Sequence, residues 1–173
     1  MRLGAEVLST DAVVHELYEK NEVKAAVVGR FGSSVAPTGS VDRAAVAERA
    51  FATGEDRRWL EALLWPRVGA RVAGWKRELG GHSPRPRAGV VEVPLLFEAG
   101  MQDLFDATIA VIAPEALRAQ RSASRGHRSL DERLARQLTQ AEKAERATHV
   151  VINDGDLSAL EAKLSAVLDM LAS

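Results

Sequence analysis

A chain of 173 residues and 18.7 kDa can bury one sizeable core but hardly two independent domains. Its 23 basic and 24 acidic side chains nearly cancel, so no global field points to nucleic acid or to an anionic membrane surface. The absence of cysteine excludes a disulfide framework, a thiolate metal site and a Cys nucleophile, and His15, His82, His127 and His149 have no ligand spacing. No stretch is apolar for long enough to cross a bilayer and Met1 to Glu6 holds no signal-like run, so a soluble, cytoplasmic protein is expected.

In chain order, Glu6 to Leu8 reads as a short strand, and Ser9-Thr10-Asp11 supplies a helix cap before Ala12 to Tyr18. A second helix runs from about Glu22 to Phe31, where Gly32 ends it. A third opens at Val41-Asp42-Arg43 and runs to Phe51. From Asp56 to Leu79, Trp59, Leu60, Leu63, Leu64, Val68, Val72 and Trp75 recur at helical spacing, and Pro66 is expected to break or kink that helix. The three tryptophans of this stretch, Trp59, Trp65 and Trp75, read as packing residues. The turn-rich Gly80 to Arg87 leads back into a sheet.

The pattern then alternates. Val90 to Val93 is a strand of the kind covered on both faces, and Pro94 should stop it. A helix around Glu98 to Leu104, a strand at Ala107 to Ile112 and a helix from Pro114 to about Arg125 follow. Helices at 130–138 and 140–146, a strand at His149 to Ile152 and an amphipathic helix from Leu157 to Leu171 complete the chain. Strands separated by helices imply an α/β fold with a parallel sheet and right-handed crossovers.

In such folds ligands bind beyond the carboxyl ends of strands, which points to Asp11, Glu92 and Glu98. Asp11 either accepts a proton from a substrate hydroxyl or caps a helix, Glu92 is either a site carboxylate or an ordinary strand-end residue, and Glu98 either a site carboxylate or an early helix residue favoured by the dipole. Arg118, Arg121, Arg125 and Arg128 are either a phosphate clamp or a solvated face. Asn153-Asp154-Gly155 follows a strand and can present amide and backbone groups to a base or ribose, although most such loops are only turns.

Taken together, these pieces resemble the dephospho-coenzyme A kinase family over nearly the full length. The ordered matches are Leu3-Gly4-Ala5 with Asp11 and His15; Phe31-Gly32; Gly39 with Val41-Asp42-Arg43; Leu60-Glu61 with Pro66; Val93-Pro94-Leu95-Leu96-Phe97-Glu98; Phe105-Asp106; Arg121 and Arg125; Arg133 with Gln137; Lys143; and Val150-Val151 with Asn153 and Gly155. The resemblance implies a P-loop kinase-like three-layer core (residues 1–21 and 88–173), a helical coenzyme-binding domain (22–87) and a lid at about 122–140. It implies transfer of the γ-phosphoryl of ATP, with Mg²⁺, to the 3′-hydroxyl of dephospho-coenzyme A, with no nucleic-acid or membrane partner. By resemblance Asp11 is the base or orienter of that hydroxyl, and Glu98 and Arg43 bind substrate. Arg121 and Arg125 serve the phosphate and lid side, Asn153 and Gly155 border the adenine, and Glu92 lies near the metal.

Three departures stand out. Ser9-Thr10-Asp11 replaces Asp-Ala-Asp, Trp65-Pro66 replaces His-Pro, and the family's opening strand with its Gly-rich loop ending in Lys-Ser or Lys-Thr is not found in the sequence. The first strand and phosphate loop are therefore expected to be absent and the 173 residues to be inactive. The explanations are a start assigned too late, a truncated non-catalytic coenzyme-binding chain, or an adaptor of kinase ancestry.

Overall fold

The computed structural model describes residues 3–123 and 138–171. The chain divides into two compact units, Gly4–Val93 and the residues from Pro94 onward together with Leu3.

In the first unit β1 (Ala5–Ser9) leads directly into α1 (Thr10–Tyr18), and α2 (Asn21–Phe31), α3 (Arg43–Ala52) and α4 (Gly54–Gly80) follow before β2 (Ala88–Glu92). The two strands pair in parallel, Ala5 with Ala88 through to Ser9 with Glu92, which requires the long helical crossover between them. Gly32 takes φ +86° as α2 ends, a left-handed conformation that glycine adopts without a Cβ penalty. Asp42 caps α3 by accepting from the backbone N–H groups of Ala44 (2.9 Å) and Ala45 (3.2 Å). Val23, Val27, Val35, Val46, Leu64 and Tyr18 form the buried centre of the helical part, flanked by Trp59 edge-on to Phe31 at 5.4 Å.

Pro66 does not break α4, which runs unbroken for 27 residues. Proline removes the donor to the Ala62 carbonyl, yet the Ala, Leu and Arg on both sides favour helix, and Arg67 ties into the same turn by donating Nη1 to the Leu63 carbonyl at 2.7 Å. Trp75 is buried and Trp59 half-buried, in keeping with packing roles, whereas Trp65 is exposed. A Cβ on Gly89 would lie 2.6 Å from Leu79 Cδ1 and 3.4 Å from the Trp75 ring, so the missing side chain lets β2 approach α4.

In the second unit β3 (Ile109–Ile112) pairs in parallel with β4 (His149–Ile152). Helices α5 (Glu115–Ala123), α6 (Gln140–Arg146) and α7 (Leu157–Leu171) accompany them. The expected helix around Glu98 to Leu104 is instead a run of turns followed by a 3₁₀ turn at Gln102–Leu104. Between Pro94 and Gly100 at φ +63° one α-type bond forms, Ala99 N–H to the Leu95 carbonyl at 3.0 Å, and the turn does not propagate. Val90 and Val91 of β2 are half-buried, whereas Val7 of β1 and Val111, Val150 and Ile152 of the β3–β4 pair are exposed. By register and alternation Val111 lies on the face opposite to Val150 and Ile152, so each face of the β3–β4 pair shows apolar surface. Two strands with few helices against them present more apolar area than their neighbours cover. The expected helix at 130–138, Arg125, Arg128, Arg133, Gln137 and most of the expected lid lie outside the described residues.

Candidate active site

The strand pairing brings Asp11 and Glu92 to one edge. Glu92 ends β2 opposite Ser9, and Asp11 stands two residues beyond Ser9 in the first turn of α1; both carboxylates are exposed. The cap expected from Ser9-Thr10-Asp11 does not form through a side chain: Ser9 occupies the cap position without a side-chain bond. Thr10, which is buried, instead donates its hydroxyl to the Glu92 carbonyl at 2.9 Å and fastens the two strand ends together. Asp11 is thus not the helix cap. Its carboxylate, in the first turn of α1, is open to solvent. Among the described residues no group of three or more His, Asp or Glu is arranged to hold a metal. The two carboxylates still suit Mg²⁺, which keeps several waters and takes one or two carboxylates together with substrate phosphates.

Arg43 begins α3, exposed, with its charge near the Tyr18 phenol. Burial pushes the Tyr18 pKa up, and the Arg43 guanidinium offsets part of that shift.

Within the second unit Glu98 is held firmly. Its Oε1 accepts from the Leu138 backbone N–H at 3.1 Å and pairs with Lys143 Nζ at 3.0 Å, and that ammonium also donates to the Pro94 carbonyl at 3.0 Å. Oε2 of Glu98 is buried without a hydrogen-bond partner among the described residues, which leaves an acceptor unused. The structure brings Arg121 to the turn after β4: Nη1 donates to the Asn153 carbonyl at 3.4 Å and Nη2 to the Gly155 carbonyl at 3.2 Å. The neighbouring Asp154 pairs with Lys163 at 2.6 Å, and that bond holds its carboxyl below the usual carboxylate range.

Several anchors escape a reading of the sequence as a site. Lys143, recognisable only as a family match, connects the residues after β2 to α6. Gln140 bonds both backbone groups of Ala113, accepting from its N–H at 2.8 Å and donating to its carbonyl at 3.0 Å, as a strand neighbour would. The signal available for α6 is the pair Thr139 and Glu142, which forms a reciprocal capping box.

The family profile described as dephospho-CoA kinase matches residues 1–159. A dephospho-CoA kinase of Deinococcus radiodurans is 37% identical over 171 residues, covering 97% of this chain and 81% of its own. That of Protochlamydia amoebophila is 34% identical over 166 residues, covering 94% and 82%. A Thermus thermophilus protein of known crystal structure superposes with a TM-score of 0.76 at 34% identity, over 98% of this chain and 86% of that one. The dephospho-CoA kinase of Campylobacter jejuni shares the fold, with a TM-score of 0.68 at 22% identity over 99% and 87%. Matched by the profile over most of its length and by relatives above 30% identity, the chain belongs to the dephospho-CoA kinase family.

Proposed function

We propose that this site phosphorylates the 3′-hydroxyl of dephospho-coenzyme A with ATP, the last step of coenzyme A synthesis. The observation that carries the reading is an exposed carboxylate, Asp11, fixed at a strand end by the Thr10–Glu92 bond of 2.9 Å. Asp11 accepts the proton of the 3′-hydroxyl as its oxygen attacks the γ-phosphorus. The bond from that phosphorus to the β–γ bridging oxygen breaks, and ADP leaves with the electron pair. Glu92, at the end of β2, would serve the outer shell of a bound Mg²⁺, which would neutralise charge on the phosphate oxygens. Arg43 and the segment 22–87 are assigned to the coenzyme, with Glu98 as a further substrate contact. Arg125 is assigned to the phosphate side, Arg121 to the lid side, where its guanidinium bonds the Asn153 and Gly155 carbonyls, and Asn153 and Gly155 border the adenine of ATP.

No lysine in the 173 residues is followed by Ser or Thr, so these residues do not themselves supply the Lys and hydroxyl that hold nucleotide phosphates and Mg²⁺. The 173-residue chain is therefore expected to bind dephospho-coenzyme A without turning over ATP. A coupled assay with ATP, Mg²⁺ and dephospho-coenzyme A should give no product above a no-enzyme control, and product there would overturn that expectation.

A further inference from the structure

We infer that Arg121 is a positioning residue for the nucleotide base: its guanidinium holds the turn at Asn153–Gly155 by two carbonyls and so sets the purine preference of the chain. This rests on the reading of that turn as the border of the adenine, and it gives Arg121 a different task from a phosphate ligand.

Two of the five Arg121 N–H donors are committed to backbone of the turn, Nη1 to Asn153 O at 3.4 Å and Nη2 to Gly155 O at 3.2 Å. Both bonds are longer than the usual 2.9–3.0 Å, so each is weak alone. One planar group acting on two carbonyls nevertheless fixes the orientation of the peptides between them. The rest of the turn is tied by shorter bonds. Asn153 N–H donates to Ile112 O at 2.7 Å, Lys163 Nζ donates to Ile152 O at 2.8 Å, and Asp156 Oδ1 accepts from Ala159 N–H at 2.8 Å. Gly155 lies so close to α7 that a Cβ on it would sit 3.1 Å from Ala159 Cβ. Those ties hold the two ends of the turn to β3 and α7, whereas Arg121 acts on the carbonyls within it. Both backbone groups of Asn153 are thereby engaged, which fixes the point from which its carboxamide projects.

Adenine presents an amino donor at the position where guanine presents a carbonyl acceptor. A turn with fixed peptides meets one pattern and leaves the other with an unpaired group. A turn free to rotate a peptide can serve either, and the discrimination falls.

The test is an NMR titration of the 173-residue chain with dephospho-coenzyme A, adenosine, guanosine and ATP, in the wild type, Arg121→Met and Arg121→Lys, with circular dichroism confirming the fold of each. The wild type is expected to prefer adenosine, with the amides of Asn153 and Gly155 shifting. Arg121→Met should lower the adenosine-to-guanosine affinity ratio by about three- to tenfold, the equivalent of roughly one net hydrogen bond. It should weaken adenosine and ATP by the same factor, with Arg121→Lys in between. A ratio that does not change would overturn the inference, as would a loss confined to ATP, which marks a phosphate ligand. If neither dephospho-coenzyme A nor any nucleoside shifts the wild-type spectrum, the kinase reading itself fails and takes this inference with it.

Discussion

Val23, Val27, Val35 and Val46 in the helical part have 0% of their surface exposed, whereas Val7, Val111, Val150 and Ile152 in the strands keep between 41% and 50% of theirs. The side chains are alike in shape and stiffness, so the difference comes from what packs on them. Helices α1 to α4 and the turn at Ser33–Val35 close around their own valines, and Tyr18 and Leu64 complete the enclosure. The strands carry apolar residues on surfaces that the described residues only partly cover. Burial is therefore concentrated in the helical part, while the strands contribute through their ends, where register sets Glu92 opposite Ser9, two residues before Asp11.

The largest effect expected from this contrast is on folding. Val46→Asp places an unpaired charge in the enclosed helical centre and should destabilise by roughly 3–5 kcal/mol. Val150→Asp, on an exposed strand face, should cost under about 1 kcal/mol. Urea denaturation of the two variants checks this, and equal losses would break the comparison. Next, Gly89→Val adds bulk where β2 meets Trp75 and Leu79 of α4, and should cost about 1–3 kcal/mol by the same measurement. Asp11→Asn keeps the shape but loses the anionic acceptor. It should weaken dephospho-coenzyme A binding about fivefold, corresponding to roughly 1 kcal/mol, with thermal stability unchanged. An unaltered affinity would remove Asp11 from substrate binding.

The smallest effects are pH-dependent. Tyr18 is the only tyrosine of the chain, so phenolate absorbance reports it alone. Burial holds its folded pKa above the unfolded one, so its contribution to stability is complete below about pH 10 and is lost as pH rises through the window between the two values. A titration midpoint above the ordinary tyrosine value is expected, and Arg43→Met should raise it further by removing the guanidinium that opposes the shift. At the other extreme, Lys163 holds the Asp154 carboxyl below its usual range. That contribution is present above the unfolded carboxylate pKa and disappears as pH falls through the folded one, so the start of α7 should loosen in acid.

How much could be read in advance varies with the range of the interactions. β4 and α7 fall at the expected bounds, His149–Ile152 and Leu157–Leu171, because an apolar run, an Asn-Asp-Gly turn and a helical stripe follow one another without competition. Pro66 does not break α4 because one residue acts against a strongly helical 27-residue context. The segment around Glu98 goes the other way, since its composition suits a helix but its flanking Pro94 and Gly100 do not. The Arg121 contacts join positions 32 and 34 residues apart, and the Lys143–Pro94 bond spans 49. No local pattern encodes such pairs. The family motif marked several of these residues, but only the fold shows which of them touch.

The most direct test of the account is calorimetric titration of the 173-residue chain with dephospho-coenzyme A. One-to-one binding, weakened by Asp11→Asn and unaffected by Val150→Thr, is the result the account predicts. An absence of heat up to millimolar ligand, or an Asp11→Asn titration indistinguishable from wild type, would contradict it.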